Sequence, residues 1–188
     1  MRATNKELDA FMADWREKFC GQHYAKKVGK IAKNIEELKA VLKPEYPLLD
    51  VGCNIGSVYK ELDHENYEGI DLDPVAVEEA RKRFPGVNFR VGDLYDLEGK
   101  WDVVLVSRVL MHVAPLDEAM NRLLDAARKH LVLFVPIAPE DECEIHGNDL
   151  NEVKVYSYFR RFSEHTFRTF GRCVINNREP YSTVIYDR

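Results

Sequence analysis

Between residues 47 and 137 the chain repeats one pattern: a short apolar run, ended by small or acidic residues, then a stretch with apolar positions at helical spacing. Runs this apolar do not alternate with polar residues, so they suit strands covered on both faces, as in a parallel sheet. They fall at 47–52, 67–72, 87–91, 101–106 and 131–137. One intervening helix is opened by Asp73-Pro74 and closed near Gly86, with Val77, Ala80 and Phe84 on its inner face. Another turns Leu116, Met120, Leu123, Leu124 and Ala127 inward and carries Arg128, Lys129 and His130 at its negative dipole end. Two further strands, 173–176 and 182–186, read as a hairpin joined through Arg178-Glu179-Pro180. The expected fold class is α/β: a doubly wound, mostly parallel seven-stranded sheet with a C-terminal antiparallel hairpin.

The flanks are helical or irregular. Thr4-Asn5-Lys6-Glu7 has the form of a capping box, followed by Leu8, Phe11, Met12, Trp15 and Phe19 at helical spacing and by Gly21 as a stop. Val28, Ile31, Ala32, Ile35, Leu38 and Leu42 make a second helix before Pro44. Residues 138–162 form an irregular insertion, after which Ser163 caps a short helix stapled by Phe162 and Phe167 and ended by Gly171. No repeat or linker divides the 188 residues, which read as one domain in four segments: 1–44, 45–137, 138–162 and 163–188. A body of this length buries roughly 70% of its unfolded surface and needs no staple. The four cysteines, Cys20, Cys53, Cys143 and Cys173, contain no C-x-x-C pair, which excludes a zinc ribbon or dithiol motif and fits reduced thiols in the cytoplasm. The first residues are charged throughout, and no window reaches the ~18 uninterrupted apolar residues of a membrane span. A net charge of -5 argues against a broad face for long nucleic acid.

A doubly wound sheet binds ligands beyond the carboxyl ends of its central strands, at the switch point. The first strand ends in Asp50-Val51-Gly52-Cys53-Asn54-Ile55-Gly56-Ser57, whose glycines allow a tight turn and close approach of a ligand to the backbone. The second ends in Gly69-Ile70-Asp71-Leu72-Asp73-Pro74. Asp71 stands roughly 20 residues beyond the glycine loop, where a carboxylate can accept from both hydroxyls of a ribose. Asp73 is better explained as the cap of the next helix. The third ends in Val91-Gly92-Asp93-Leu94, where an acid can accept from an exocyclic amine such as adenine's. Acids at successive strand ends beside a glycine loop describe a nucleotide cofactor. The dinucleotide fingerprint Gly-x-Gly-x-x-Gly fails twice, because its second and third glycines would fall on Asn54 and Ser57.

The arrangement Gly52-x-Asn54-x-Gly56 resembles the Gly-x-Gly-x-Gly loop of the class I S-adenosylmethionine-dependent methyltransferases. The resemblance covers nearly the whole chain. Residues 48–53 are similar to the family's first motif, Gly69-Ile70-Asp71 to its second-strand acid and Gly92-Asp93-Leu94 to its adenine-side motif. Residues 101–107 with Val109-Leu110-Met111-His112-Val113 resemble its fourth-strand segment, and the terminal hairpin its antiparallel seventh strand. The resemblance implies the Rossmann-like methyltransferase fold, S-adenosylmethionine as cofactor and S-adenosylhomocysteine as product. It implies Gly52 and Gly56 against the methionine part, Asp71 on the ribose, Leu72 against the adenine face, and Asp93 with Leu94 at the adenine edge. Asp50, Cys53 and Asn54 of the first motif and Ser107 of the fourth-strand end complete the cofactor set. Asn54 departs from the pattern at the middle glycine, although Asn tolerates positive φ better than other side chains.

His112 stands near the expected pocket mouth, where an imidazole can take a proton from the acceptor; orienting the loop is the competing role. The insertion resembles the His-containing stretch that covers the acceptor in many small-molecule members of the family. His146, Tyr156, Tyr158 and Arg160, with Tyr24 from the N-terminal helices, are the candidate substrate contacts. Glu142, Glu144, His146 and Asp149 fit no tight ligand pattern, so no metal is expected. In this reading 1–44 is a helical lid, 45–137 the cofactor-binding core and 138–162 the acceptor-side insertion. Shortness and negative charge favour a small-molecule acceptor methylated at oxygen or nitrogen. One rival is a tRNA or protein methyltransferase, for which Arg160, Arg161, Arg168, Arg172 and Arg178 are material for a basic stripe. Another is a catalytically silent cofactor-binding or regulatory subunit.

Overall fold

The computed structural model describes residues 38–39, 41–110, 113, 116–135, 173–176 and 182–187. Seven strands form one sheet: β1 (Leu48–Val51), β2 (Tyr67–Asp71), β3 (Asn88–Val91), β4 (Trp101–Ser107), β5 (Ala127–Val135), β6 (Cys173–Asn176) and β7 (Ser182–Asp187). Their order is β3-β2-β1-β4-β5-β7-β6. The first five run parallel, while β7 is antiparallel to both β5 and β6. The expected seven-stranded α/β sheet with antiparallel C-terminal strands is therefore present. The turn expected at Arg178-Glu179-Pro180 and the helices expected before residue 38 and after Ser163 lie outside the described residues.

The central strand explains why the sheet needs cover on both sides. All four residues of β1 are buried, and successive side chains point to opposite faces. Leu48 joins Val58, Tyr67, Val77, Ala80, Phe89 and Leu105 under α1 (Ser57–Leu62) and α2 (Pro74–Arg83). Leu49 and Val51 join Ile70, Val104, Val106, Met120 and Leu123 under α3 (Leu116–Ala126). Asp73 caps α2 as expected, its Oδ1 accepting from the Val75 amide at 3.0 Å with Pro74 following it. Leu38 and Leu42 are tied by a helical hydrogen bond ahead of Pro44, and Leu38 is fully buried. Among the described residues no helix is long and apolar enough to cross a membrane.

One expectation is corrected. Arg128, Lys129 and His130 are not at the end of a helix: α3 stops at Ala126, and all three belong to β5 together with Ala127. Lateral partners in the sheet outweigh the pull of a helix dipole here. Lys129 Nζ donates to Asp102 Oδ2 on β4 at 2.7 Å and lies 3.6 Å over the Tyr46 ring, while His130 Nδ1 is 2.8 Å from Asp187 Oδ1 on β7. The strand thus begins four residues earlier than its apolar run. Val135 is its last described residue.

Gly69 lets the layers meet beneath the first strand end. A Cβ there would sit 2.7 Å from Phe89 Cδ1 and 2.9 Å from Cys53 Sγ, inside contact distance of two packed side chains. Gly69→Ala should therefore lower the free energy of unfolding by about 1–3 kcal/mol through overpacking. Urea denaturation checks this, and an unchanged midpoint would show that Phe89 and Cys53 yield without penalty.

Candidate functional site

The carboxyl ends of β1, β2 and β4 converge on the loop that leads from β1 into α1. Three residues of that loop at alternate positions have left-handed backbone: Gly52 (φ 77), Asn54 (φ 50) and Gly56 (φ 80). They are the three positions of the sequence pattern, with Asn54 holding the conformation that glycine would otherwise supply. Its side chain makes this tolerable, because Oδ1 accepts from the Ile55 amide at 2.8 Å. Room is the second reason for glycine at the ends. A Cβ at Gly52 would lie 2.2 Å from Val109 Cγ2, and one at Gly56 would lie 2.8 Å from the Phe84 ring.

The loop is lashed to β2. The amides of Gly52 and Cys53 both donate to the Ile70 carbonyl, at 2.8 and 2.9 Å. One residue on, the Asn54 amide donates to Asp71 Oδ2 at 2.8 Å, and Asp71 Oδ1 accepts from the Asp73 amide at 2.8 Å. Asp71 thereby brackets the glycine loop and the start of α2. A carboxylate offers about four lone-pair directions, so with these two amides and that of Leu72 drawing on it, Asp71 can still accept a ribose hydroxyl. Burial raises the Asp71 pKa, against the pull of the amides of Asp73 and Asn54.

The other expected residues divide by where their side chains lie. Leu72 is 36% exposed beside Asp71, and Val91 at the end of β3 is 48% exposed, giving an apolar rim on this edge. Asp93 caps a 3-10 turn at Leu94–Asp96, its Oδ1 accepting from the Tyr95 amide at 3.0 Å. Leu94 is buried in the core on the α3 side, so only its backbone is available to a ligand at the edge. Cys53 is likewise a core residue, and its thiol pKa is pushed up by burial and by the acids Asp50 and Asp71. Ser107 closes β4 one residue beyond the Val51–Val106 pair, and its buried Oγ has no hydrogen-bond partner. His112, Tyr24, His146, Tyr156, Tyr158 and Arg160 lie outside the described residues, as do the acids of the insertion. Among the described residues no group of three or more His, Cys, Asp or Glu gathers to hold a metal ion.

Asp50 lies under the loop, fully buried on the face of β1 that meets α1. Tyr67 Oη donates to its Oδ2 at 2.5 Å, whereas Oδ1 has no partner. Burial pushes the Asp50 carboxyl up to about 7, helped by the nearby Asp71 charge and opposed by the Tyr67 bond. The sequence reading missed Tyr67, although the register Leu48↔Tyr67 puts it two pairs below Asp50, and so on the same face, on the neighbouring strand. It also missed Arg108, which leaves β4 with left-handed backbone (φ 57), a conformation that nothing in its residue type announces.

A family model described as a methyltransferase domain matches residues 22–170. A ribosomal protein L11 methyltransferase from Dictyoglomus turgidum is 33% identical over 98 residues, covering 48% of this chain and 33% of that protein. Its counterpart from Thermosipho africanus is 31% identical over 106 residues, covering 52% and 40%. The match thus spans well under half the length of these curated relatives. Among solved structures, the plantazolicin methyltransferase BpumL, in complex with a monoazolic desmethylPZN analog and S-adenosylhomocysteine, superposes with a TM-score of 0.65 at 13% identity, over 97% of this chain and 91% of its own. Magnesium protoporphyrin IX methyltransferase from Synechocystis PCC 6803, with bound S-adenosylmethionine, gives 0.56 at 21%, over 88% and 79%. At these identities the structures speak for the fold.

The buried acid makes a stability prediction. Asp50 has a native pKa of about 7 against an ordinary 3.8, so between those values the native state holds a proton that the unfolded chain has released. Its contribution to stability is complete below the lower value and is lost as pH rises through the upper one, at up to about 1.4 kcal/mol per pH unit. Denaturant titrations across that range should show Asp50→Asn with a shallower fall in stability than the wild type. Parallel curves would place Asp50's titration elsewhere.

Proposed function

The chain belongs to the methyltransferase domain family, and we propose that it is a cytoplasmic enzyme that moves the methyl group of S-adenosylmethionine to oxygen or nitrogen of a small-molecule acceptor. The observation that carries the cofactor assignment is the run of left-handed residues Gly52, Asn54 and Gly56 bonded to the Asp71 carboxylate. A backbone in that conformation offers its polar groups to a ligand with no Cβ in the way at either end. Two solved methyltransferases of the same fold hold S-adenosylmethionine or its product.

The residues present fit that cofactor. The loop receives the methionine part, and the partnerless oxygens of Ser107 and Asp50 leave unmet hydrogen-bonding capacity in the same corner. Asp71 holds the ribose through its remaining lone pairs. The exposed Leu72 covers the adenine face, with Asp93 and the Leu94 backbone at the adenine edge. Cys53 serves through its backbone, its thiol being in the core. Bound there, S-adenosylmethionine supplies a methyl group on a sulfonium, a strong leaving group. The protein's work is then mainly alignment of the acceptor in line with that bond. His112 takes the acceptor's proton as the methyl moves. The proposed acceptor contacts are Tyr24 from the 1–44 lid segment and His146, Tyr156, Tyr158 and Arg160 from the 138–162 insertion. The free, buried Cys53 is compatible with a reducing compartment.

A small acceptor is supported by the net charge of -5, and by the fold-level likeness to enzymes named for a porphyrin and for plantazolicin. A protein acceptor is the second reading, favoured by the identity to ribosomal protein L11 methyltransferases. Calorimetry should show S-adenosylmethionine binding that weakens roughly 10- to 100-fold in Asp71→Ala, the equivalent of one or two lost charge-assisted bonds. Absence of binding at millimolar ligand would overturn the cofactor assignment. Incubation of a cell extract with tritiated methyl donor then separates the acceptors: label in the low-molecular-weight fraction supports the first reading, and label in protein or RNA overturns it.

A further inference from the structure

Resting on the reading that S-adenosylmethionine binds over the 52–56 loop, we propose that Asp50 and Tyr67 form a buried proton-exchange pair. Below neutral pH Asp50 is protonated in the free protein and gives up its proton when the cationic cofactor arrives, while Tyr67 sets the pH of the exchange.

The geometry supplies an acid with no counter-charge. From β2, Asp50 meets the phenol of Tyr67 and, at the strand's end, the carboxylate of Asp71. From the loop it meets the Cys53 thiol, and α1 adds Tyr59, whose ring lies 5.0 Å from that of Tyr67. Its cross-strand neighbours are Gly69 on β2 and Leu105 on β4, and the neutral Ser107 lies further along β4. Among the described residues these are one other acid, one thiol and two phenols, and no Lys, Arg or His pairs with Asp50. A fully buried carboxylate in such surroundings has one phenol bond against its desolvation and against a second acid, so the neutral form is favoured. Its orphaned Oδ1 lacks the donor that a charged carboxylate would need.

S-adenosylmethionine carries a sulfonium and an ammonium against one carboxylate, hence a net positive charge. Held over the loop in a poorly screened corner, that charge favours ionised Asp50. The O–H bond of Asp50 breaks, its electron pair stays on the carboxylate, and the proton passes to solvent. Tyr67 is itself held well above its ordinary pKa by burial, so its phenol stays protonated and donates to the charged form. Removing that donor moves the exchange to higher pH.

The test is titration calorimetry of the full chain with S-adenosylmethionine in two buffers of different ionisation enthalpy, repeated across pH. At about pH 6.5 the wild type should release between roughly half a proton and one proton per ligand bound. Its affinity should climb toward about tenfold per pH unit below the midpoint and level off above it. Asp50→Asn should bind without proton release and with a flat pH profile, and Tyr67→Phe should shift the midpoint upward. Binding without proton release by the wild type would overturn the pair and leave the cofactor assignment standing. Release that persists in Asp50→Asn would assign the proton to Asp71 and equally overturn it. No binding heat at all would overturn both readings. If Asp50→Asn does not fold, the Tyr67→Phe midpoint decides: an unmoved midpoint rejects the proposal.

Discussion

The two hydrogen bonds that the Asp71 carboxylate accepts from the amides of Asn54 and Asp73 hold the candidate site together. They join elements far apart in the sequence, a loop leaving one strand and a helix start leaving the next. Without them the Asn54 amide would be a buried donor lacking a partner beside a backbone already in a left-handed conformation. The same carboxylate is also the residue best placed to meet a ribose, so building the loop and holding a ligand draw on one side chain. Losses on changing Asp71 therefore combine an altered loop with a missing contact, and a binding assay alone reads their sum.

The loop can be held so closely because the sheet beneath it is fixed by two cores. Alternate residues of β1 belong to opposite faces, and the parallel pairings with β2 and β4 leave no freedom of register. A slip of one residue would turn Asp50 into the core under α3 and Val51 toward Tyr67, exchanging a paired polar group for an unpaired one. Gly69 serves the same end by letting Phe89 and Cys53 close over the strand.

Much of this was legible in the residues themselves. The uninterrupted apolar runs announced parallel strands, Asp73-Pro74 announced a helix start, and the spacing of Gly52, Asn54 and Gly56 announced the loop. Asn54 was open to doubt in the sequence, since only the bond from its own Oδ1 to the next amide shows how it bears a positive φ. What escaped was decided by neighbours far along the chain. Arg128, Lys129 and His130 read as a helix end because their partners Asp102, Tyr46 and Asp187 are distant in sequence. Leu94 read as part of a pocket edge, yet tertiary packing draws it into the core. Asp50 was recognised as part of a motif, but its burial and its bond to Tyr67 depend on strand register, which composition and spacing do not contain.

The position of β7 bears on how the molecule is made. It fills the gap between β5 and β6, and its Asp187 meets His130 across a sequence separation of 57 residues. Until residues 182–187 have left the ribosome, β5 presents Leu131, Val132, Leu133 and Phe134 along an open sheet edge. Such an edge invites pairing with other chains. Pairing of β5 with β7 is thus a non-local event that waits on synthesis of residues well beyond β5.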